Sequence, residues 1–519
     1  MPEPALVAAA EAEELAARKR RATSLRIHMD AEPAHLNPLA GPSVWTARVT
    51  ADTVFETLVR YVPPPDGAGT GAGSFRPGLA ASWKVTQGGK LIRLELRDDV
   101  TFHDGSRFSS VDAQFSIDMA RSPRVDADHL RRQLADVTAV ELAGPRGLRI
   151  WLSRPNGYVL RALAEVPMLS DSVYRGKLSP QRGPVVGTGP FRLASWKGGR
   201  ILLERNDAYW GDAPPIETIE LVHDGDAAHA LTAAKRGEID IIPELIREHY
   251  PDQAEAAAIE ASFAPLRLRP PVLRYIALGQ RGPPFDDARV REAVARLVDR
   301  EEIIEREHGG LAHAVGGPIW PGGPGDGRGP GPLAYDPSAA AKLLDAAGWV
   351  DRAGSGKREK GGQRLQVALL ALSRGHSAER ERIVKALRAA GFFVEVRRGS
   401  AGVLLNRLEH AEFDVALLEW HAAVDTDLSP LLETGGKLNY GKFSDQRVDD
   451  LLDRLRAAAT PAARAKLMPQ LADLLAQTWP IVPVSAPDPY GLVHRRVRGV
   501  RVWNGWIVLR ELSLAHEEE

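Results

Sequence analysis

Two short stretches of the chain combine side chains that could do chemistry. His223, Asp224, Asp226 and His229 bring imidazole and carboxylate close together in sequence, a mixture that suits several divalent metals. The second stretch, FHDGS at 102–106, pairs His103 with Asp104. An Asp–Gly dipeptide is also standard tight-turn chemistry, and here it stands between a strand-like run and a capped helical run, so a turn is the stronger reading. For the first cluster, the acids also suit the opening turn of a helix over Asp226 to Ala234, where the macrodipole favours negative charge. Metal ligation is therefore the minor reading, because order along the chain does not fix ligand geometry.

Other motifs are weaker still. GTGP at 187–190 lacks the GxGxxG spacing and any following Lys–Ser or Lys–Thr, so it is not a phosphate loop. AGSGKRE at 353–359 contains a Gly–Lys pair, but Arg358 stands where a Ser or Thr would bind magnesium, and a surface hairpin is expected. No GxSxG elbow and no HExxH helix occurs anywhere. The chain has no cysteine, which removes thiol nucleophiles, disulfides, zinc–thiolate sites and iron–sulfur clusters together. The sequence thus predicts no catalytic residue, no metal ligand and no cofactor.

At 519 residues the chain is long enough for two or three domains. A net charge of −1 gives no general pull toward nucleic acid or anionic membrane, and no nucleic-acid partner is expected. No apolar run reaches the roughly 18–20 residues of a membrane span. Residues 1–24 read as a flexible lead-in. A short Ala-rich stretch is followed by acids and then by Arg18, Lys19, Arg20 and Arg21, the reverse of a signal peptide, which carries its basic residues first. Either the protein is cytoplasmic or an export signal has been removed, and the remaining sequence favours the second.

The elements alternate. LRIHM from Leu25 alternates like a half-buried strand, and PPPDGAGTGAG at 63–73 is loop chemistry. Strand-like SWKVT and KLIRLELR follow, separated by Gln87, Gly88 and Gly89. A helix is predicted over Ser109 to Ala120, with Ser109 and Ser110 as candidate N-caps. Strands are predicted at 189–205 and 217–222, and HALTAAKRGEIDIIPEL reads as a helix ended by Gly237 and then a strand. Val290, Ala293, Val294, Leu297 and Val298 recur at helical spacing within 286–308, and a Gly/Pro-rich loop fills Gly309 to Pro332. Helices are predicted at 337–347, 377–390 and 461–478, with VALLAL and FDVALLEW as buried strands. Alternating strands and helices make this an α/β chain with more than one lobe.

Several blocks in order resemble one family. DAEPAHLNPL, TADTVFETLVRY, RPGLAASWKV, LELRDDVTFHDGSRFSSVDAQFSID, VVGTGPFRL, LERNDAYWGDAPPIETIEL, AAKRGEIDI, PPFDDARVREAVARLVDREEII, YDPSAAAKLLDAAGW and LNYGKFSDQRVDDLLDRL follow one another from about Leu25 to about Trp506. The chain is similar to family 5 of the extracellular solute-binding proteins, the periplasmic receptors of ABC importers for oligopeptides, dipeptides and nickel. The resemblance implies a two-lobed periplasmic binding protein fold (type II, cluster C) with an extra domain inserted in the first lobe. Lobe 1 would comprise 25–45, 188–270 and 484–519, the extra domain 46–187, and lobe 2 271–483. It implies a monomer, not an enzyme, located in the periplasm or otherwise outside the cytoplasm, with lipid anchoring as one option. The ligand, a peptide or peptide-like solute by default, would be captured in the interlobe cleft by domain closure and handed to an ABC permease in the inner membrane. Metal chelates, oligosaccharides and opines are the alternatives within the fold; a metal-assisted hydrolase using His223 and His229 is the alternative outside it.

The resemblance also nominates ligand contacts. FDVALLEWHAAVDTDLSP releases a buried strand at Trp420 into a polar loop, where α/β folds place ligands. In peptide-binding relatives an aspartate shortly after the matching aromatic accepts the ligand's amino terminus, but three residues after Trp420 this chain has Ala423. Asp425 or Asp427 could take that place, with helix capping as an equal alternative. His421 could contact a metal or metallophore as in the nickel branch. Trp45, in the AGPSVWT loop, lies where relatives line the cleft from the first lobe, and with Trp420 it would offer apolar faces to a flat or chain-like ligand.

Overall fold

Leu25, Ile27 and Met29 are fully buried, and their alternation forms the strand Ser24–His28 at the heart of a seven-stranded sheet. The computed structural model describes residues 23–41, 43–62, 73–176, 183–320, 330–352, 354–373 and 377–515. The lead-in up to residue 22, the 63–72 part of the first Pro/Gly loop and the 321–329 part of the second lie outside them. The chain divides into two compact units. The first comprises the described residues within Met1–Tyr61, Phe75–Leu268 and Pro489–Glu519; the second those within Val62–Ser74 and Arg269–Asp488.

In the first unit the strand order is Phe263–Arg267, Tyr490–His494, Ile241–Ile242, Ser24–His28, Thr218–Val222, Arg200–Arg205 and Phe191–Lys197. Ser24–His28 runs parallel to both of its neighbours, whereas the outer pairs are antiparallel. Three parallel strands therefore point their carboxyl ends the same way. Asp240, in the AAKRGEIDI block, locks the register of the centre. Its carboxylate accepts the Arg26 backbone N–H at 2.9 Å and two donors of Arg496 at 2.9 and 2.7 Å.

A second, antiparallel sheet of four strands, ordered Ala80–Thr86, Leu91–Leu96, Gly147–Leu152 and Val137–Leu142, belongs to the same unit. The helix Ser110–Arg121 packs on it, and begins where predicted, with Ser109 and Asp112 forming a reciprocal capping box. One continuous apolar core joins this sheet to the seven-stranded one. Glu56, 2% exposed, ties its own loop with its carboxylate to the segments flanking the strands Phe191–Lys197 and Arg200–Arg205. It accepts from Tyr209 Oη at 2.7 Å, Trp210 Nε1 at 2.8 Å and Thr188 Oγ1 at 3.0 Å.

FHDGS is a turn. Phe102 donates its backbone N–H to Ser106 at 2.8 Å, Asp104 accepts the backbone and hydroxyl of Ser106, and Gly105 takes φ 86°. His103 is spent on the backbone of Gly187 and Gly189.

The second unit is built on a six-stranded sheet, ordered Ala312–Ala314, Ile481–Pro487, Val272–Leu278, Val415–His421, Gln366–Leu372 and Phe393–Gly399. One face buries Ile276, Leu278, Val367, Leu369, Val415, Val482 and Val484 in the unit's apolar core, together with residues of the helices Ala288–Leu297, Pro337–Ala346 and Ala378–Ala389. The periodic stretch 286–308 is two helices rather than one, because Asp299 turns its side chain onto the Glu302 backbone N–H and starts a new N-terminus at Arg300. Likewise 461–478 divides into Pro461–Ala465 and Met468–Thr478, with Pro469 in the first turn, where it forfeits no helical hydrogen bond.

Candidate functional site

The later two of the chain's passages between the units, at Leu268–Arg269 and Asp488–Pro489, leave from one edge of each unit's large sheet; the earlier two are at Tyr61–Val62 and Ser74–Phe75. In the first unit, the chain leaves past Arg267 and returns at Pro489, beside Tyr490, which pairs with Arg267. The carboxyl ends of the parallel strands lie on this same edge, at Asp30, His223 and Glu244. Open α/β sheets bind ligands at such strand ends.

Trp45 sits there, in the first turn of the short helix Val44–Thr50 capped by Ser43. Its indole N–H donates to Asp30, two residues past the end of the strand Ser24–His28. The ring is only 5% exposed. Trp506 meets it edge-on at 5.6 Å, and the Arg48 guanidinium lies 5.0 Å from its centroid and 4.4 Å from that of Trp506. Burial lowers the Arg48 pKa against the pull of Glu244 and Asp30. Burial likewise raises the Glu244 carboxyl, opposed by Arg48. Further along the edge, Tyr250 and Tyr490 pack at 4.7 Å with Arg267 over both rings.

The His/Asp cluster occupies the end of the Thr218–Val222 strand. His223 Nδ1 is bonded to the Met29 carbonyl at 3.1 Å, and His28, 2% exposed, is held toward its neutral form by burial. The predicted helix starts later than expected, at His229, so Asp224 and Asp226 serve as turn acceptors ahead of it, for the Asp226 and Ala228 backbone N–H groups. His229 lies 3.8 Å from Asp224 and 3.6 Å from Asp226 and is two-thirds exposed. Among the described residues no group of three or more His, Asp or Glu is arranged to hold a metal ion. The metal-assisted hydrolase therefore has no preformed metal cluster there.

In the second unit, the crossover edge carries the start of Val272–Leu278 and the end of Val415–His421, paired directly at Val272 and His421. Trp420 is part-buried, with Trp320 against it at 5.4 Å and an interplanar angle of 62°. His421 is exposed, and its Nε2 lies 2.7 Å from Glu419 Oε1. Arg274, across the ladder from Glu419, donates from Nε to Oε2 at 2.8 Å and contacts the His308 ring at 3.0 Å. His421 and Arg274 together pull the Glu419 pKa down to about 2, and Glu419 in turn raises that of His421.

The two aspartates are engaged inside the second unit. Arg464 Nε donates to Asp425 Oδ1 at 2.7 Å and a second guanidinium nitrogen closes onto Oδ2, with the side chains 0% and 2% exposed. Asp427 Oδ1 accepts the Ser429 backbone N–H at 2.9 Å and its hydroxyl at 2.6 Å, and Oδ2 lies 3.5 Å from Arg456 Nε. Both carboxylates thus have internal partners, and Ala423 is 7% exposed. The structure collects Trp45 at the first unit's edge and Trp420 and His421 at the second's, whereas Asp425 and Asp427 are turned to local structure. Arg48, Trp506, Glu419 and Arg274 were not anticipated. Only Trp506 had a local signal, the Asn504–Gly505 turn between VW and WI, which closes a two-stranded hairpin with φ 50° and 80°.

Comparison with known proteins fits this construction. Residues 74–442 match the family model for bacterial extracellular solute-binding proteins, family 5 Middle. A probable di/tripeptide-binding protein 5 of Pseudomonas aeruginosa is 24% identical over 94% of this chain and 95% of its own length. The solved structure of HbpA2 from Haemophilus parasuis superposes with a TM-score of 0.81 at 20% identity, covering 95% of this chain and all (100%) of that one. NikA from Brucella suis, solved with Fe(III)-EDTA, gives 0.76 at 24% identity over 95% of this chain and 99% of that one. The chain belongs to the family 5 bacterial extracellular solute-binding proteins.

Proposed function

We propose that the chain is the substrate receptor of an ABC importer, that it takes a di- or tripeptide or a similar small solute, and that it performs no chemistry on it. The observation that carries this reading is the continuous similarity, over 94% of the chain, to a probable di/tripeptide-binding protein. The site geometry supports it. Trp420 at the edge of the second unit has the part-exposed ring that a chain-like ligand can cover, and His421 beside it is exposed. On this reading Trp420 and His421 are ligand-side residues of the second unit and Trp45 is a supporting residue of the first, whereas Asp425 and Asp427 hold the loop that follows the strand carrying Trp420 and His421.

Thermal unfolding against di- to pentapeptides, oligosaccharides, opines and nickel with histidine tests the proposal. A ligand at about 100 times its dissociation constant adds about 2.7 kcal/mol of stability. A rise with short peptides alone is the expected result. A rise only with nickel–histidine, sugars or opines would replace the peptide ligand and keep the receptor. Turnover of any bound peptide would remove the non-enzymatic reading.

A further inference from the structure

Arg48 is held in a way that local structure does not require. Its guanidinium lies over two indoles, 5.0 Å from the Trp45 centroid and 4.4 Å from that of Trp506, and the two rings stand nearly perpendicular at 83°. Trp45 is itself fixed, by its N–H on Asp30 and by its place in a capped helix. Arginine stacked on aromatic faces has its planar fork oriented before any partner arrives, so little side-chain entropy remains to be lost on binding. Yet that fork donates no hydrogen bond and forms no ion pair within 4 Å to any described residue. Most other buried or half-buried arginines among the described residues do spend their donors, although Arg380 and Arg510 each keep one buried nitrogen without a partner. Arg464 spends them on Asp425, Arg300 on the Pro483 carbonyl and Arg291 on the Thr478 carbonyl. Trp506 adds a second unspent donor, a buried indole N–H with no acceptor among the described residues.

These donors lie at the edge where the parallel strands end, close to the Trp45 indole that is bonded to Asp30. We propose that Arg48, clamped by Trp45 and Trp506, is the anion reader of the binding site and receives a carboxylate of the solute as a forked, two-point hydrogen bond. A carboxylate matches the guanidinium fork in shape and charge, and charge-assisted bonds of this type are about twice as strong as neutral ones. Asp30 and Glu244 act on the guanidinium electrostatically and offset its charge, so a bare anion gains little, and a solute carrying an ammonium as well as a carboxylate fits better. Trp45 then acts as a platform for Arg48 rather than as a ligand surface, in keeping with its 5% exposure. The inference deepens the receptor reading above and rests on it.

Calorimetric titration of di-, tri- and tetra-alanine, each as free acid and as C-terminal amide, tests it with wild type, Arg48→Gln and Arg48→Lys. In the wild type the acid binds at least about 10-fold more tightly than its amide, the ratio expected for one charge-assisted hydrogen-bonded pair. In Arg48→Gln that ratio falls to about one, and Arg48→Lys, a charge without the fork, recovers only part of it. Equal affinities of acid and amide for the wild type would overturn the inference without any variant, and so would an unchanged ratio in Arg48→Gln. Binding of acid and amide alike leaves the peptide receptor standing and removes the anion reader. Failure of all six alanine probes removes both.

Discussion

Asp425 and Arg464 form a forked ion pair that is closed to solvent, 39 residues apart in the chain. Asp425 holds it from a left-handed backbone conformation, φ 62°, which asparagine and aspartate tolerate better than most residues. The pair fixes the loop after Trp420 to the helix Pro461–Ala465.

Asp425→Asn keeps that backbone conformation and removes only the charge, leaving the Arg464 guanidinium buried without its counter-ion. Breaking a buried pair by one partner costs about 3–5 kcal/mol, so the urea midpoint should fall markedly. Replacing Asp425 and Arg464 together should cost less than Asp425→Asn alone. A loss of ligand affinity with unchanged urea stability would instead make Asp425 a ligand contact.

Glu56 makes a sharper chemical test. Tyr209 donates to one carboxylate oxygen, Trp210 and Thr188 to the other. Glutamine can keep its carbonyl toward Trp210 and Thr188 and turn its amide toward Tyr209, whose hydroxyl accepts as readily as it donates. Glu56→Gln should therefore cost under about 1 kcal/mol. Glu56→Ala strands three donors in the core and should cost about 2–4 kcal/mol by denaturant unfolding. Equal losses from both would show that volume, not hydrogen bonding, is what Glu56 supplies.

The pH behaviour of the Glu419–His421 pair has a definite sign. Glu419, depressed to about 2, contributes stability that is present above its unfolded value and lost as pH falls toward 2. His421 is raised above 6.5, so its contribution is present below that value and lost as pH rises through its folded pKa. The pair contributes most between about pH 4.5 and 6.5. With His421 71% exposed, the effect stays under about 1 kcal/mol. NMR titration of His421 should show a pKa above 6.5 that returns toward 6.5 in Glu419→Gln. An unchanged value in that variant would detach the two residues.

How much of this was readable in advance depended on distance along the chain. The strand from Leu25, the helix from Ser109 and the turn at Gly105 are written in neighbouring residues, through alternation, a capping box and a Gly at positive φ. The breaks at Asp299 and before Pro469 were also locally marked, yet continuous apolar spacing across them suggested single helices. The fate of Asp425 was not readable, because nothing near it announces Arg464, and a carboxylate in a loop after a strand serves equally as ligand contact, cap or ion-pair partner. Arg48 gave no signal for the same reason. Its second indole, Trp506, arrives from the far end of the chain, and stacking leaves no trace in spacing.

The indole pair of the second unit separates support from contact. Trp320 is 7% exposed and meets the edge of Trp420, which is only part-buried. Removing Trp320 opens a cavity that the surrounding side chains cannot fill, so Trp320→Ala should cost about 3–5 kcal/mol in unliganded stability. Trp420→Ala removes a ring already partly in water and should cost clearly less in the same measurement. Its larger effect should appear in titration with the peptide that stabilises the wild type, where the lost aromatic face weakens binding about 10-fold or more. Trp320 can affect affinity only by letting Trp420 move, so Trp320→Phe, which keeps an edge for the ring to rest on, should restore most of it. If Trp420→Ala bound that peptide as well as the wild type does, the polar loop after the Val415–His421 strand would no longer be a ligand surface, and the second unit's contribution would have to be sought elsewhere on its crossover edge.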